Sequence, residues 1–223
     1  MDPWDITIAF ITIFMSLFGI INPFGNILIF LTLTQNFTPE EKRAVINKTI
    51  VVATSVLLLF GLLGNWIFAL FGITLASFRI AGGILIFSIG FDMLHAKAPR
   101  TKHSEHELQD ALEKEALGVT PLGVPLYAGP GAITTVMLFL WNPPSFVGIN
   151  RDMVFILVFI SIFAVMTLSY LTMIYSDRIF RFAGRTGILV LSRIMGLIIS
   201  AIAIEFILHG IHDVLLEWNI IGG

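Results

Sequence analysis

Two stretches of this chain combine residues that break helices with residues that can hold a small polar molecule. One is Asn22-Pro23-Phe24-Gly25-Asn26; the other is Ala128-Gly129-Pro130-Gly131-Ala132, with Thr134 and Thr135 just beyond. Both interrupt long apolar runs. A broken helix leaves N–H groups without acceptors at the start of its second half and carbonyls without donors at the end of its first, and the helix dipole adds partial positive charge to those N–H groups. The free donors are expected near Gly25, Asn26 and Ile27, and near Gly131, Ala132 and Ile133. Such ends suit a zwitterion, with its carboxylate on the N–H groups and its ammonium on the carbonyls. The side chains of Asn22, Asn26, Thr134 and Thr135 add partners without fixed charge. Glycine at 25, 129 and 131 permits close approach and leaves little room. With Pro23, Pro130 and Ala132 these residues form the expected binding site. It fits a small neutral solute, for which a small amino acid is the natural candidate. The competing reading is of packing kinks, with Asn and Thr bonded to neighbouring helices.

The elements that must position these residues are membrane helices. Of 223 residues, 57% are hydrophobic and 13% charged, about half the charge of a typical soluble domain. Mean hydropathy is +0.92. A spanning helix needs roughly 20 apolar residues, and six runs qualify, at about 6–34, 44–71, 74–94, 118–141, 152–175 and 187–217. The first is too long for one straight span, so a break at Pro23 is expected. Irregular backbone at membrane depth survives only where protein or a water-filled cavity surrounds it, and paired interruptions in matching halves point to a transporter's binding site. Thr38-Pro39-Glu40-Glu41 predicts a capped helix start. Ser104-Glu105-His106-Glu107 predicts another, opening a short polar helix through Lys114 in a linker at 97–117.

Charge and aromatic placement orient the runs. Lys42, Arg43, Lys48, Lys97, Arg100, Lys102, Lys114, Arg178, Arg181 and Arg185 fall on one side, ten of the 13 basic residues. The positive-inside rule then places both termini outside a cell membrane. Trp4, Trp66, Trp141 and Trp218 fall at the outer helix ends, where an aromatic belt lies. The acidic N-terminus (Asp2, Asp5) does not read as a cleaved signal. A formal net charge of −2 argues against nucleic acid as a partner. There is no cysteine, hence no thiol chemistry.

The halves resemble one another. Arg79-Ile80-Ala81-Gly82-Gly83-Ile84 matches Arg193-Ile194-Met195-Gly196-Leu197-Ile198 at Arg, Ile, Gly and Ile, and Pro23 aligns with Pro130. Three helices per copy is an odd number, so the second copy enters from the opposite face. The expected fold is therefore an all-α membrane protein of six transmembrane helices. They form two inverted-topology three-helix repeats, 1–96 and 118–223, with the first and fourth helices broken near the midplane. Inverted repeats are the architecture of many alternating-access carriers.

Ionisable residues within spans are functional candidates. If the third and sixth helices pack antiparallel, Arg79 approaches Glu205 on the outer side and Arg193 approaches Asp92 on the inner side, a symmetric pair of gates. The competing reading has each group reaching to its own interface. Glu205 with His209 could carry a coupling proton. No metal ligand set and no cofactor site is expected. The motifs HExxH, GxSxG and GxxxxGK[S/T] do not occur, which leaves little for an intramembrane enzyme or a nucleotide-driven pump. A facilitator, channel or exporter for another small solute remains the alternative.

The same residues carry a family resemblance. Ile21-Asn22-Pro23-Phe24-Gly25-Asn26-Ile27 with Phe30-Leu31-Thr32-Leu33-Thr34, and Pro121-Leu122-Gly123-Val124-Pro125-Leu126-Tyr127 through Met137, resemble the two signatures of the MarC family of membrane proteins. The similarity covers essentially the whole chain. One departure is Leu28, where the family often has a second proline. The family includes archaeal SnatA-type carriers, so the resemblance implies transport of glycine, alanine and similar amino acids. For a secondary carrier, coupling to a proton or sodium gradient is expected. Phe- and Ile-rich outer faces fit lipid or a second protomer.

Overall fold

The computed structural model describes residues 3–94, 116–120, 122–141, 149–218 and 220, and all regular structure among them is helical. Helix α1 (Pro3–Ile21) is followed after a four-residue break by α2 (Asn26–Leu33). Helix α3 (Pro39–Phe71) turns at Gly72 into α4 (Leu75–Leu94). A wide turn (Leu122–Tyr127) precedes α5 (Pro130–Trp141), and α6 (Arg151–Ile174) leads into α7 (Ser176–Glu217). Five helices are long and apolar enough to cross a membrane: α1, α3, α4, α6 and the Ser192–Glu217 part of α7. The fourth expected run is not among them because its break leaves a helix of 12 residues. The capping pattern at 104–107 and His95, His103 and His106 lie outside the described residues.

Local chemistry sets the element ends. Thr38 Oγ1 accepts the Glu41 N–H at 3.2 Å and the Glu41 carboxylate accepts the Thr38 N–H at 2.8 Å, the reciprocal cap expected from sequence. Gly72 closes α3 at φ 64°, a left-handed position that glycine adopts freely. Val124 is forced to extended backbone (φ −132°, ψ 127°) by the proline after it. The turn around it is therefore held by N–H groups reaching five residues back, such as Ala128 to the Gly123 carbonyl at 2.8 Å. α7 bends at Gly184 (φ 67°).

The buried side chains form two clusters. The larger draws on α1, α2, α3, the wide turn, α5 and α6, around Ile13, Leu17, Phe30, Leu57, Met137 and Ile162. The smaller consists of Ile86 and Met93 from α4 with Ile199 and Ala203 from α7. α4 and α7 form an antiparallel pair along a seam of small residues spaced by seven. Ala76, Gly83 and Gly90 face Gly210, Ala203 and Gly196 in that order. A Cβ on Gly83 would lie 2.8 Å from the Ala203 carbonyl, and one on Gly90 would lie 2.9 Å from the Gly196 carbonyl. The two backbones thus touch directly, the packing that small residues permit between membrane helices. Elsewhere α1 packs on α6, α3 on α5 and on the wide turn, α3 on α6, and α4 on α5.

Candidate functional site

Both breaks fall where the sequence places them, and they lie side by side. Asn22 is the one non-glycine residue with positive φ among the described residues, at 49°, a left-handed conformation that Asn tolerates better than most. That geometry turns its carboxamide back over the turn. Asn22 Oδ1 accepts the Gly25 N–H at 3.1 Å, and the Asn22 carbonyl accepts the Asn26 N–H at 3.2 Å. Asn26 Nδ2 reaches back to the Ile21 carbonyl, the last of α1, at 2.8 Å. The two asparagines thus cap both sides of the first break reciprocally.

The first break therefore uses its own donors. The Ile27 N–H also finds an internal acceptor, the Phe24 carbonyl at 3.3 Å. This corrects the expectation of free N–H groups at 25–27: the left-handed Asn22 supplies the acceptors that a plain break would lack. The second break differs. Pro130 opens α5 at its first position, where a missing N–H costs nothing. The Ile133 N–H reaches the Gly129 carbonyl at 3.0 Å, but no turn or loop bond among the described residues takes up the N–H groups of Gly131 and Ala132. Thr134 and Thr135 donate to the Pro130 and Gly131 carbonyls, each at 2.8 Å, and keep lone pairs to accept with.

Burial is nearly complete at both breaks. Asn22, Asn26, Ala132, Thr134 and Thr135 are all buried, as are Pro23, Gly25, Gly129 and Gly131, with Pro130 half-buried. A Cβ on Gly131 would meet Ile86 Cδ1 at 2.2 Å and Ile20 Cγ2 at 3.0 Å. Ile20 is the penultimate residue of α1, just before the first break, so this contact joins the two breaks. A Cβ on Gly25 would meet Met93 Cε at 2.8 Å, and Gly82 of α4 packs on Pro130. Helix α4 thus covers both breaks with side-chain tips. The second break faces the middle of α4 and the first lies nearer its C-terminal end, an offset of up to about 10 Å at helical rise.

Two buried donors at the breaks have no partner. Asn22 Nδ2 makes no hydrogen bond, and neither does the hydroxyl of Tyr127. The tyrosine is fully buried, and its hydroxyl lies beside the Asn26 side chain without closing a bond of acceptable geometry. Sequence reasoning passed over Tyr127 although it immediately precedes the break. Its position among only three tyrosines was the available signal.

The charged residues depart from expectation. Arg79 is paired with Asp213, and Glu205 lies 4.0 Å from His209 one turn along its own helix. The register explains both. Arg79 packs its Cβ on Gly210, and its long side chain reaches back toward the N-terminus of α4, which in the antiparallel pair is the end level with Asp213, one turn beyond Gly210. Glu205 sits two residues from the seam residue Ala203, about 200° round the helix, and points away with 68% of its side chain exposed. Among the described residues no ion pair joins Asp92 to Arg193. An apolar groove along α6, lined by Phe155, Phe159, Ile160 and Phe163, lies on one outward helix face and has none of this chemistry.

The family model for the MarC family integral membrane protein matches residues 7–215. The chain belongs to the MarC family. The UPF0056 membrane protein MJ1677 of Methanocaldococcus jannaschii is 39% identical over 207 residues, covering 93% of this chain and 98% of that protein. YvbG of Bacillus subtilis is 38% identical over 200 residues, 89% and 92% of the two chains. YhcE of Escherichia coli is 36% identical over 202 residues, 90% and 91%. All three are described as membrane proteins, and this MarC-family chain is likewise an integral, multi-pass one. No solved structure matches it.

Proposed function

We propose that this protein is a secondary carrier of small neutral amino acids, glycine and alanine above all. It works by alternating access at the paired breaks and draws on a proton or sodium gradient, as in the SnatA-type carriers it resembles. The observation that carries this reading is the meeting of two helix breaks inside the protein, with the N–H groups of Gly131 and Ala132 uncommitted. Backbone donors at a helix N-terminus hold a carboxylate, and the polar oxygens of Thr134 and Thr135 face the same turn. The space is small: Ile86, Met93 and Ile20 reach within contact of the glycines, which fits substrates with little or no side chain.

The packing pattern supports the inverted repeat. Under the alignment of Pro23 with Pro130, the wide turn corresponds to the end of α1, α5 to α2, α6 to α3, and α7 to α4. The contact of α1 with α6 then corresponds to that of the wide turn with α3, the contact of α3 with α5 to that of α6 with α2, and α3–α6 and α4–α7 each map onto themselves. The tips of Ile86 and Met93 over the breaks favour alternating access over an open pore. The charge pattern favours a plasma-membrane carrier with both termini outside, and its apolar outer faces leave room for a homo-oligomer.

Uptake of radiolabelled glycine and alanine into proteoliposomes, with and without an imposed pH or sodium gradient, tests the reading. The expected result is saturable, gradient-driven uptake with counterflow. Uptake that never saturates and shows no counterflow would replace the carrier with a facilitator.

A further inference from the structure

We propose that the Tyr127 hydroxyl is a substrate-binding group. It acts with the Asn22 carboxamide to hold the substrate's carboxylate against the N-terminus of α5. This rests on the carrier reading and assigns its specificity for the carboxylate.

The argument starts from two unmade hydrogen bonds. Burying a donor without an acceptor is costly, so native structures rarely leave one. The Tyr127 hydroxyl and Asn22 Nδ2 are both buried and both unpaired. Thr49 and Ser161 also have unpaired hydroxyls, but a Ser or Thr on a helix can turn to the carbonyl four residues back. Tyr127 has no such recourse, because its hydroxyl sits at the end of a rigid ring. Asn22 has none either, because its oxygen is already fixed by the Gly25 N–H.

Both groups belong to the breaks. Tyr127 is the last residue of the wide turn, two residues before Gly129, and its hydroxyl lies beside Asn26 of the first break. One hydrogen of the Asn26 amide is committed to the Ile21 carbonyl, and the other makes no bond of acceptable geometry to the Tyr127 hydroxyl beside it. Asn22 Nδ2 and the N–H groups of Gly131 and Ala132 can only donate, and the Tyr127 hydroxyl can donate a fourth hydrogen bond. Four neutral donors, one pair from side chains and one from a helix N-terminus, match an anion with two oxygens. An ammonium group could use only the Tyr127 oxygen among them.

Tyr127→Phe removes one oxygen from a buried site where it has no partner, so it is expected to leave the Tm of the detergent-solubilised full chain unchanged or slightly raised. In proteoliposomes it should raise the KM for glycine at least about tenfold and leave the maximal rate within about twofold. The preference for glycine over glycinamide, which lacks the carboxylate, should shrink by a similar factor. A purely structural role would not move that preference. A second measurement needs no mutant at this position. With only three tyrosines, 3-fluorotyrosine labelling gives three fluorine resonances, assigned with Tyr170→Phe and Tyr175→Phe. The Tyr127 resonance should shift on titration with glycine. A wild type that transports glycine while Tyr127→Phe keeps its KM, or while the Tyr127 resonance stays unmoved at saturation, overturns the assignment and leaves the carrier reading standing. A wild type that neither binds nor transports glycine or alanine overturns both.

Discussion

Asn22 does two jobs through one backbone angle. Its positive φ aims the carboxamide at Gly25 and leaves the amide nitrogen unpaired. Asn22→Ala loses the bond and leaves in the left-handed region a side chain without the local hydrogen bonding by which Asn tolerates it, together about 2–3 kcal/mol. Asn22→Gly loses the bond alone, at about 1 kcal/mol. Thermal unfolding in detergent should therefore rank the wild type above Asn22→Gly, and Asn22→Gly above Asn22→Ala; equal values for the two variants would remove the conformational argument. Ile86 is the other informative residue. Its tip fills the space over Gly131, so Ile86→Ala should admit larger neutral side chains, measured as inhibition of glycine uptake by valine or leucine. Unchanged exclusion of both would show that Ile86 does not limit the site. The residue types at the breaks were legible because proline and glycine at membrane depth have so few explanations. The bracing by Asn22 was not, because nothing in a residue's identity states the sign of its φ. Tyr127 was hidden for a different reason: its isolation depends on every element that buries it.

The α4–α7 seam carries the argument at the scale of elements. Small residues at 76, 83 and 90 and at 196, 203 and 210 repeat every seven positions, the period of two helices that stay in contact over several turns. The spacing was present in the sequence, but glycine is common in membrane helices, and only the register shows which ones touch. The same register decides the ion pairs. Antiparallel packing was anticipated, yet the partner of Arg79 is Asp213 and not Glu205, because Glu205 points out of the seam while the Arg79 side chain reaches back past Gly210 to Asp213. Gly90→Val should push the backbones apart, since a Cβ there already lies within 3.0 Å of three α7 atoms. Overpacking of this kind costs about 1–3 kcal/mol, read as a lower Tm and a lower yield of folded protein. An unchanged Tm would mean that the helices separate at little cost.

At the scale of the molecule, the two buried clusters divide the chain into a scaffold of α1, α2, α3, α5 and α6 and a pair of α4 and α7. The pair meets the scaffold at the breaks through Gly82, Ile86 and Met93. In the carrier reading this interface must open and close, while the glycine seam inside the pair stays shut. The chain has no cysteine, so introduced thiols have no background. A thiol cross-linker joining Ile20→Cys to Ile86→Cys, which flank Gly131 together, should stop glycine uptake until it is cleaved. Full uptake by the cross-linked protein would mean that the α4–α7 pair is static.

The two breaks are chemically unequal, one sealed by its own asparagines and the other with backbone donors to spare. A carrier built on unequal halves presents a different KM to each side of the membrane. Detailed balance then constrains its rates. Without a gradient, influx and efflux must cancel at equal concentrations, so the side with the tighter KM must also have the slower maximal flux. In the carrier reading, the asymmetry of Asn22 therefore sets at which concentration each direction saturates, and the net direction is left to the driving ion.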